Sequence, residues 1–129
     1  FLFELSKNTK KKIIITTGAI DTKLIALLKI KSKQVSQFLY QVNTNNINGY
    51  LLTNQDFFSM SHLISKCKLF ISCHGAFTHI ASNYKVKIID IVEKNKIVHY
   101  SKITSHMINH KHLYRDSFEN LSEKIIANS

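Results

Sequence analysis

Apolar positions along the chain alternate between short continuous runs and stripes with helical spacing. Ile13-Ile14-Ile15-Thr16-Thr17 is a β-branched run that predicts a buried strand, ending at Gly18-Ala19-Ile20-Asp21. Asp21 or Thr22 can cap the helix that follows, on which Leu24, Leu27 and Leu28 share a face. Val35, Phe38, Leu39 and Val42 keep the same spacing, so the helix is expected to continue past Lys31 or to restart there. Asn43-Thr44-Asn45-Asn46-Ile47-Asn48-Gly49 reads as a turn-rich break, and Tyr50–Thr53 as a short strand or loop. Asp56 then caps a helix carrying Phe57, Met60, Leu63, Ile64 and Cys67 on one face.

The densest pattern follows. Leu69-Phe70-Ile71 and Ile88-Ile89-Asp90-Ile91-Val92 are strand-like, and Phe77, Ile80, Ala81 and Tyr84 between them form one helical stripe. A strand, turn, helix and strand of this length joins parallel strands. With Ile13–Thr17 they are expected to lie parallel in one sheet with helices on both faces. In open parallel sheets ligands bind where strands end and helices begin. Here that place is Ser72 to His79, where Gly75 permits close approach and the following helix presents N–H groups to an anion. After Val92 comes a polar loop, and Ile97-Val98-His99-Tyr100 is expected as an edge strand or extended segment. Ser101–His112 shows no clear period and reads as loop with short helical turns. Phe118, Leu121 and Ile125 define a last amphipathic helix.

A chain of 129 residues, 44% of them hydrophobic, fits one α/β domain spanning 1–129 with its own core. No apolar run approaches the roughly 18 residues of a membrane span. The opening Phe-Leu-Phe-Glu carries no leader pattern, so the sequence is expected to start inside a longer protein. The net charge of +10 raises the question of a polyanionic partner. Arg115 is the one arginine among 18 basic residues, and readers of phosphates and bases exploit arginine's planar fork. Specific nucleic-acid binding is therefore not expected, and loose attraction to an acidic membrane surface is favoured over it. Cys67 and Cys73 lack zinc spacing and make no disulfide framework, which leaves buried, inert thiols as the favoured reading, although the turn could expose Cys73.

The stretch Lys68–Ala81 resembles, without a gap, the Asp-Leu-Phe-Val-Gly-Asn-Asp-Ser-Gly-Pro-Met-His-Leu-Ala segment of heptosyltransferase-like glycosyltransferases with the two-domain GT-B fold. It keeps Leu69, Phe70, His79 and Ala81, with Ile71 and Ile80 as near equivalents. His74 stands where that family has Asp, Gly75 where it has Ser, Ala76 where it has Gly, and Lys87 where a Pro is common. Ser72-Cys73-His74-Gly75 is also similar to the Ser-His-Gly-Gly turn of other GT-B enzymes. The resemblance implies the C-terminal half of a GT-B fold, a Rossmann-like three-layer sandwich with a mostly parallel sheet. It further implies a nucleotide-diphosphate sugar as ligand, no cofactor and no metal. An N-terminal acceptor domain would supply the general base, so catalytic residues stay unassigned and this chain should bind without turning over. Such a domain would act in cell-surface polysaccharide or lipopolysaccharide synthesis, in the cytoplasm or at the inner membrane face. The alternative is a stand-alone Rossmann-like nucleotide-binding or regulatory module without transferase activity.

By the same resemblance, the first loop, Thr17-Gly18-Ala19, approaches the diphosphate, and Leu52 and Thr53 lie near the nucleobase. The turn His74-Gly75-Ala76-Phe77-Thr78-His79 receives the phosphates, and Glu93 holds the ribose. Each has a plainer alternative. His79 can hydrogen-bond its own turn, Thr78 can cap the helix, and Glu93 can be an exposed loop carboxylate. Asp90, polar inside an apolar strand, is either a buried, partnered carboxylate or a site residue. His106, His110 and His112 form an H-x3-H-x-H group with no evident carboxylate or thiolate, and read as surface histidines within the His-rich segment 99–112.

Overall fold

The computed structural model describes residues 12–17, 22–44, 47–115 and 118–128. They form an α/β chain of seven strands and five α-helices, divided into two compact units, Phe1–Phe57 and Phe58–Ser129. The strands make two sheets, one four-stranded and mixed, the other three-stranded and wholly parallel.

In the first unit, strand β1 (Ile13–Thr16) leads to helix α1 (Lys23–Ile30). Thr22 caps that helix, its hydroxyl oxygen accepting the Ile25 N–H at 3.3 Å. Asp21, the other expected cap, lies outside the described residues. The helix buries Ile25 and half-buries Leu28, while Leu24 and Leu27 stay exposed. Where helical spacing predicted more helix, the chain forms β2 (Lys33–Ser36) and β3 (Leu39–Thr44), followed by β4 (Ile47–Leu52). Tyr40, Val42 and Thr44 are aromatic or β-branched and fit a period of two, and Val35 is β-branched within β2. That second period prevails because strand partners exist on both sides. β3 pairs antiparallel with β2 and with β4, and Val42 packs with Ile25 and Leu51 in a small core.

β1 joins this sheet, parallel to β4, in the order β1-β4-β3-β2. The expected single sheet of Ile13–Thr17, Leu69–Ser72 and Ile88–Val92 is thus corrected: the first of these strands is in one sheet and the other two are in another. Gly49 helps explain the pairing. It sits inside β4 rather than in a turn, opposite Ile13, and a Cβ there would collide with the Ile13 carbonyl oxygen. Only glycine lets the two backbones approach this closely.

In the second unit, helix α2 (Phe57–Ser65) buries Met60 and Ile64 against Ala81, Val86 and Ile88. Strand β5 (Leu69–Cys73), helix α3 (Ala76–Asn83) and strand β6 (Lys87–Val92) then make the β-turn-α-β unit read from the sequence, with β5 and β6 parallel. α3 ends in a Schellman arrangement: the Val86 N–H donates to the Ala81 carbonyl and the Lys85 N–H to that of Ser82. Lys85 takes the left-handed position, with φ of 56°.

The residues expected as an edge strand, Ile97–Tyr100, lie instead in helix α4 (Ile97–Ile103), and the strand is β7 (His110–Tyr114), parallel to β6. Ile97-Val98 has strand propensity, but a segment a few residues past β6 cannot return to run parallel beside it. A parallel neighbour needs a crossover, and α4 supplies it. Helix α5 (Phe118–Ala127) lies against β7 and buries Leu121 and Ile125. No helix among the described residues is long and apolar enough to cross a membrane.

Candidate functional site

Strand alternation places the site. Beyond its exposed first residue, Lys87, β6 is apolar except at Asp90, whose register partners are Ser72 on β5 and His112 on β7. Because paired residues of parallel strands share a face, Ser72, Asp90, His110 and His112 emerge together, under α3 and α4. Asp90 has no exposed surface. Its carboxylate is saturated by donors from four chain segments. Oδ1 accepts from the Ser72 hydroxyl at 3.2 Å and from the Thr78 hydroxyl at 2.9 Å. Oδ2 lies 2.7 Å from His74 Nδ1 and 2.9 Å from His110 Nε2. Since an ionised carboxylate only accepts, both imidazole nitrogens carry protons.

Burial pushes the Asp90 carboxyl pKa upward, but the hydrogen bonds from His110, His74 and Thr78 and the charge of His74 outweigh it. The group is held below the usual aspartate value. His112 is also displaced downward, first by burial and then by the neighbouring His110 and His74, against the opposing pull of Asp90. Its Nε2 is 3.4 Å from the Thr104 hydroxyl, which itself donates to the Tyr100 carbonyl at 2.8 Å.

Aromatic rings close around this centre. The His74 ring lies 4.7 Å from Tyr100 and 5.4 Å from His79, and His110 meets His112 edge-on at 4.4 Å. His79 stacks with His106 at 6.1 Å, and Tyr100 approaches His99 and His112. Every histidine except His62 thus belongs to one connected group.

Of the residues predicted for ligand binding, the turn at the end of β5 holds six. His74 is anchored on Asp90, and Gly75 and Ala76 are exposed at the start of α3. Thr78 is fully buried and turned toward Asp90, with its oxygen also 3.4 Å from the Gly75 N–H, so it serves the network and the helix start. Phe77 packs on the core beside Met60 and Ile88. Glu93 follows β6, is exposed and pairs with Lys96 at 3.0 Å; the Lys96 hydrogen bond holds its pKa down. Thr17, Leu52 and Thr53 belong to the first unit. There Thr17 N–H donates to the Leu52 carbonyl at 3.1 Å, and buried Thr53 donates its N–H to that of Phe38 at 2.9 Å. Gly18 and Ala19 lie outside the described residues.

Several residues of the centre were not singled out for binding. Ser72 and Tyr100 carried no signal beyond their place. His110 and His112 stand on β7 facing inward rather than on the surface, with 5% of the His110 side chain exposed. The carboxylate missing from the H-x3-H-x-H group is Asp90, twenty residues upstream of His110. Asp90, His110 and His112 each offer one ligand atom, and the three atoms lie within 4.8 Å of one another, a set able to hold a metal ion. Arg115, the one arginine, continues the ladder by donating its N–H to the Val92 carbonyl at 2.8 Å. Its guanidinium reaches across the end of β6 to Cys73 Sγ, 3.4 Å away. A planar cation thus stands at the carboxyl edge of the parallel sheet.

Comparison with protein-family models, curated proteins and solved structures found no match to this chain. Its functional reading rests on its own residues.

Proposed function

We propose that the chain is the nucleotide-sugar-binding half of a GT-B glycosyltransferase, with the diphosphate lying over the turn from Cys73 to Thr78. The observation that carries this reading is the turn itself. It follows a strand in a wholly parallel sheet, opens a helix, and holds His74 on a buried carboxylate at 2.7 Å. Helix N–H groups and positive side chains at such a turn stabilise a diphosphate leaving group. Arg115, across the same edge, adds a fork suited to phosphate oxygens. The Rossmann-like three-layer arrangement belongs to this proposal, supported by the helical crossovers between β5, β6 and β7 and by the parallel β1–β4 pair. The acceptor and the general base would be supplied by an N-terminal half. The whole would work in cell-envelope glycan synthesis at the inner membrane face, where the lysine excess suits an acidic surface. What this chain should show by itself is binding.

The test is a calorimetric panel of nucleoside diphosphates and nucleotide sugars against the wild type and Gly75→Val. Gly75 has an extended backbone (φ −179°), and a Cβ there meets nothing nearer than the Cys73 carbonyl oxygen at 3.9 Å. The variant should therefore fold with a stability change within about 0.5 kcal/mol while its side chain fills the anion's approach. Saturable binding of at least one nucleotide sugar, lost in Gly75→Val, is expected. Binding that persists unchanged in the variant would move the site elsewhere, and no binding across the panel would end the reading.

A further inference from the structure

We propose that Asp90, His110 and His112 form a binding site for one divalent transition-metal ion of the zinc class. The inference goes beyond the nucleotide-sugar reading and does not rest on it, because the ion can be measured with no nucleotide present.

Donor chemistry selects the ion. Two imidazoles and one carboxylate suit zinc, cobalt or nickel, whereas calcium and magnesium demand oxygen shells. Three protein ligands also leave a fourth position open to solvent or an anion, the pattern of zinc sites that are not purely structural. The spacing is compatible. Ligands about 2.0–2.1 Å from a tetrahedral zinc lie roughly 3.3 Å apart. The Asp90 Oδ2–His110 Nε2 pair stands at 2.9 Å, and all three ligand atoms lie within 4.8 Å. Opening that pair by a few tenths of an ångström and closing the others, by up to about 1.5 Å from separations of at most 4.8 Å, makes the site. The ion would take the place of the proton between Asp90 and His110, and His110 would bind through Nε2 with its remaining proton on Nδ1.

Preorganisation is the stronger part of the argument. Metal-bound carboxylates are characteristically oriented by outer hydrogen bonds. Here Ser72 and Thr78 fix Oδ1, and His74 fixes the second side of Oδ2, before any ion arrives. All three ligands stand on adjacent strands, in register or two residues from it, so their spacing is set by the ladder rather than by loops. Burial of Asp90 raises the energetic value of a cation placed against it. An ion here would clamp β6 to β7.

The experiment uses the full chain freed of metal with EDTA. Co2+ is titrated while visible absorption is recorded, and Zn2+ then competes it out. One Co2+ per chain is expected, with the intense ligand-field bands of four-coordinate cobalt. His112→Gln, which keeps an N–H for Thr104, should weaken binding by more than the roughly 10–100-fold that loss of an outer partner costs, and Ser72→Ala by about that range. His62→Ala, outside the cluster, should bind as the wild type does. Zn2+ but not Mg2+ should raise the unfolding midpoint of the wild type, an effect His112→Gln should lose. Absence of saturable Co2+ binding, or equal affinity in the wild type and His112→Gln, would overturn the proposal.

Discussion

Replacing Asp90 by asparagine tests the centre of the second unit with a change of one atom. The amide oxygen can still accept from Ser72 and Thr78, but the other position becomes an NH2 group facing His74 Nδ1 and His110 Nε2, both donors. Two charge-assisted bonds, at 2.7 and 2.9 Å, turn into donor–donor contacts. Bonds to charged groups contribute about 1.5–3 kcal/mol each, and breaking a buried pair costs about 3–5 kcal/mol. A loss of about 3–5 kcal/mol is therefore expected, read as a lower urea midpoint at unchanged slope. The pH dependence has a definite sign. The folded carboxyl pKa is depressed, so its contribution is fully present above the unfolded value of about 3.9 and fades as pH falls through the folded value. The gap between wild type and Asp90→Asn should thus narrow only below about pH 4. A loss under about 1 kcal/mol at pH 7, smaller than one such bond, would mean that the carboxylate does not hold the two imidazoles as described.

Three further outcomes follow from single positions. Lys85→Gly should stabilise the chain by up to about 1 kcal/mol in urea unfolding, because a left-handed C′ position with φ of 56° strains a residue with a Cβ; a loss of stability would show that the lysine side chain matters more. Gly49→Ala should cost about 1–3 kcal/mol, since its methyl group meets the Ile13 carbonyl, and an unchanged midpoint would mean β1 is free to move away. Burial pushes the Cys67 thiol pKa up while Cys73 is exposed. A disulfide reagent should therefore modify Cys73 in the fast phase, and that phase should vanish in Cys73→Ser.

What the sequence disclosed depended on how local the cause was. The β5–α3–β6 unit was legible because each of its parts has one dominant period, and Gly75 marks the turn. The segment from Val35 to Val42 was not, because Val42 keeps helical spacing with Val35, Phe38 and Leu39 and also alternates with Tyr40 and Thr44, and the choice was made by pairing with the neighbouring strands β2 and β4. Ile97–Tyr100 misled in the same way: strand propensity gave way to the length a parallel crossover requires. Asp90 was visible as a polar residue in an apolar strand, yet its partners were not. Ser72, His74 and His110 lie 18, 16 and 20 residues away, brought to it by the register of β5 and β7 on β6 and by the turn that follows β5.

That register bears on how the centre is lost. Ser72, Thr78 and His74 belong to the β5–α3 segment and reach Asp90 across one crossover, whereas His110 arrives only after the second crossover has been completed. Ring closure does not order these events, because Ser72 and His110 lie 18 and 20 residues from Asp90, a difference of about 0.1 kcal/mol in closure cost. Opening can separate them. β7 pairs with β6 alone among the described strands, and its departure severs the His110 bond while leaving the other three intact. The centre therefore comes apart in two stages, and a fluctuation confined to β7 uncouples the histidine group from the turn without melting the turn itself.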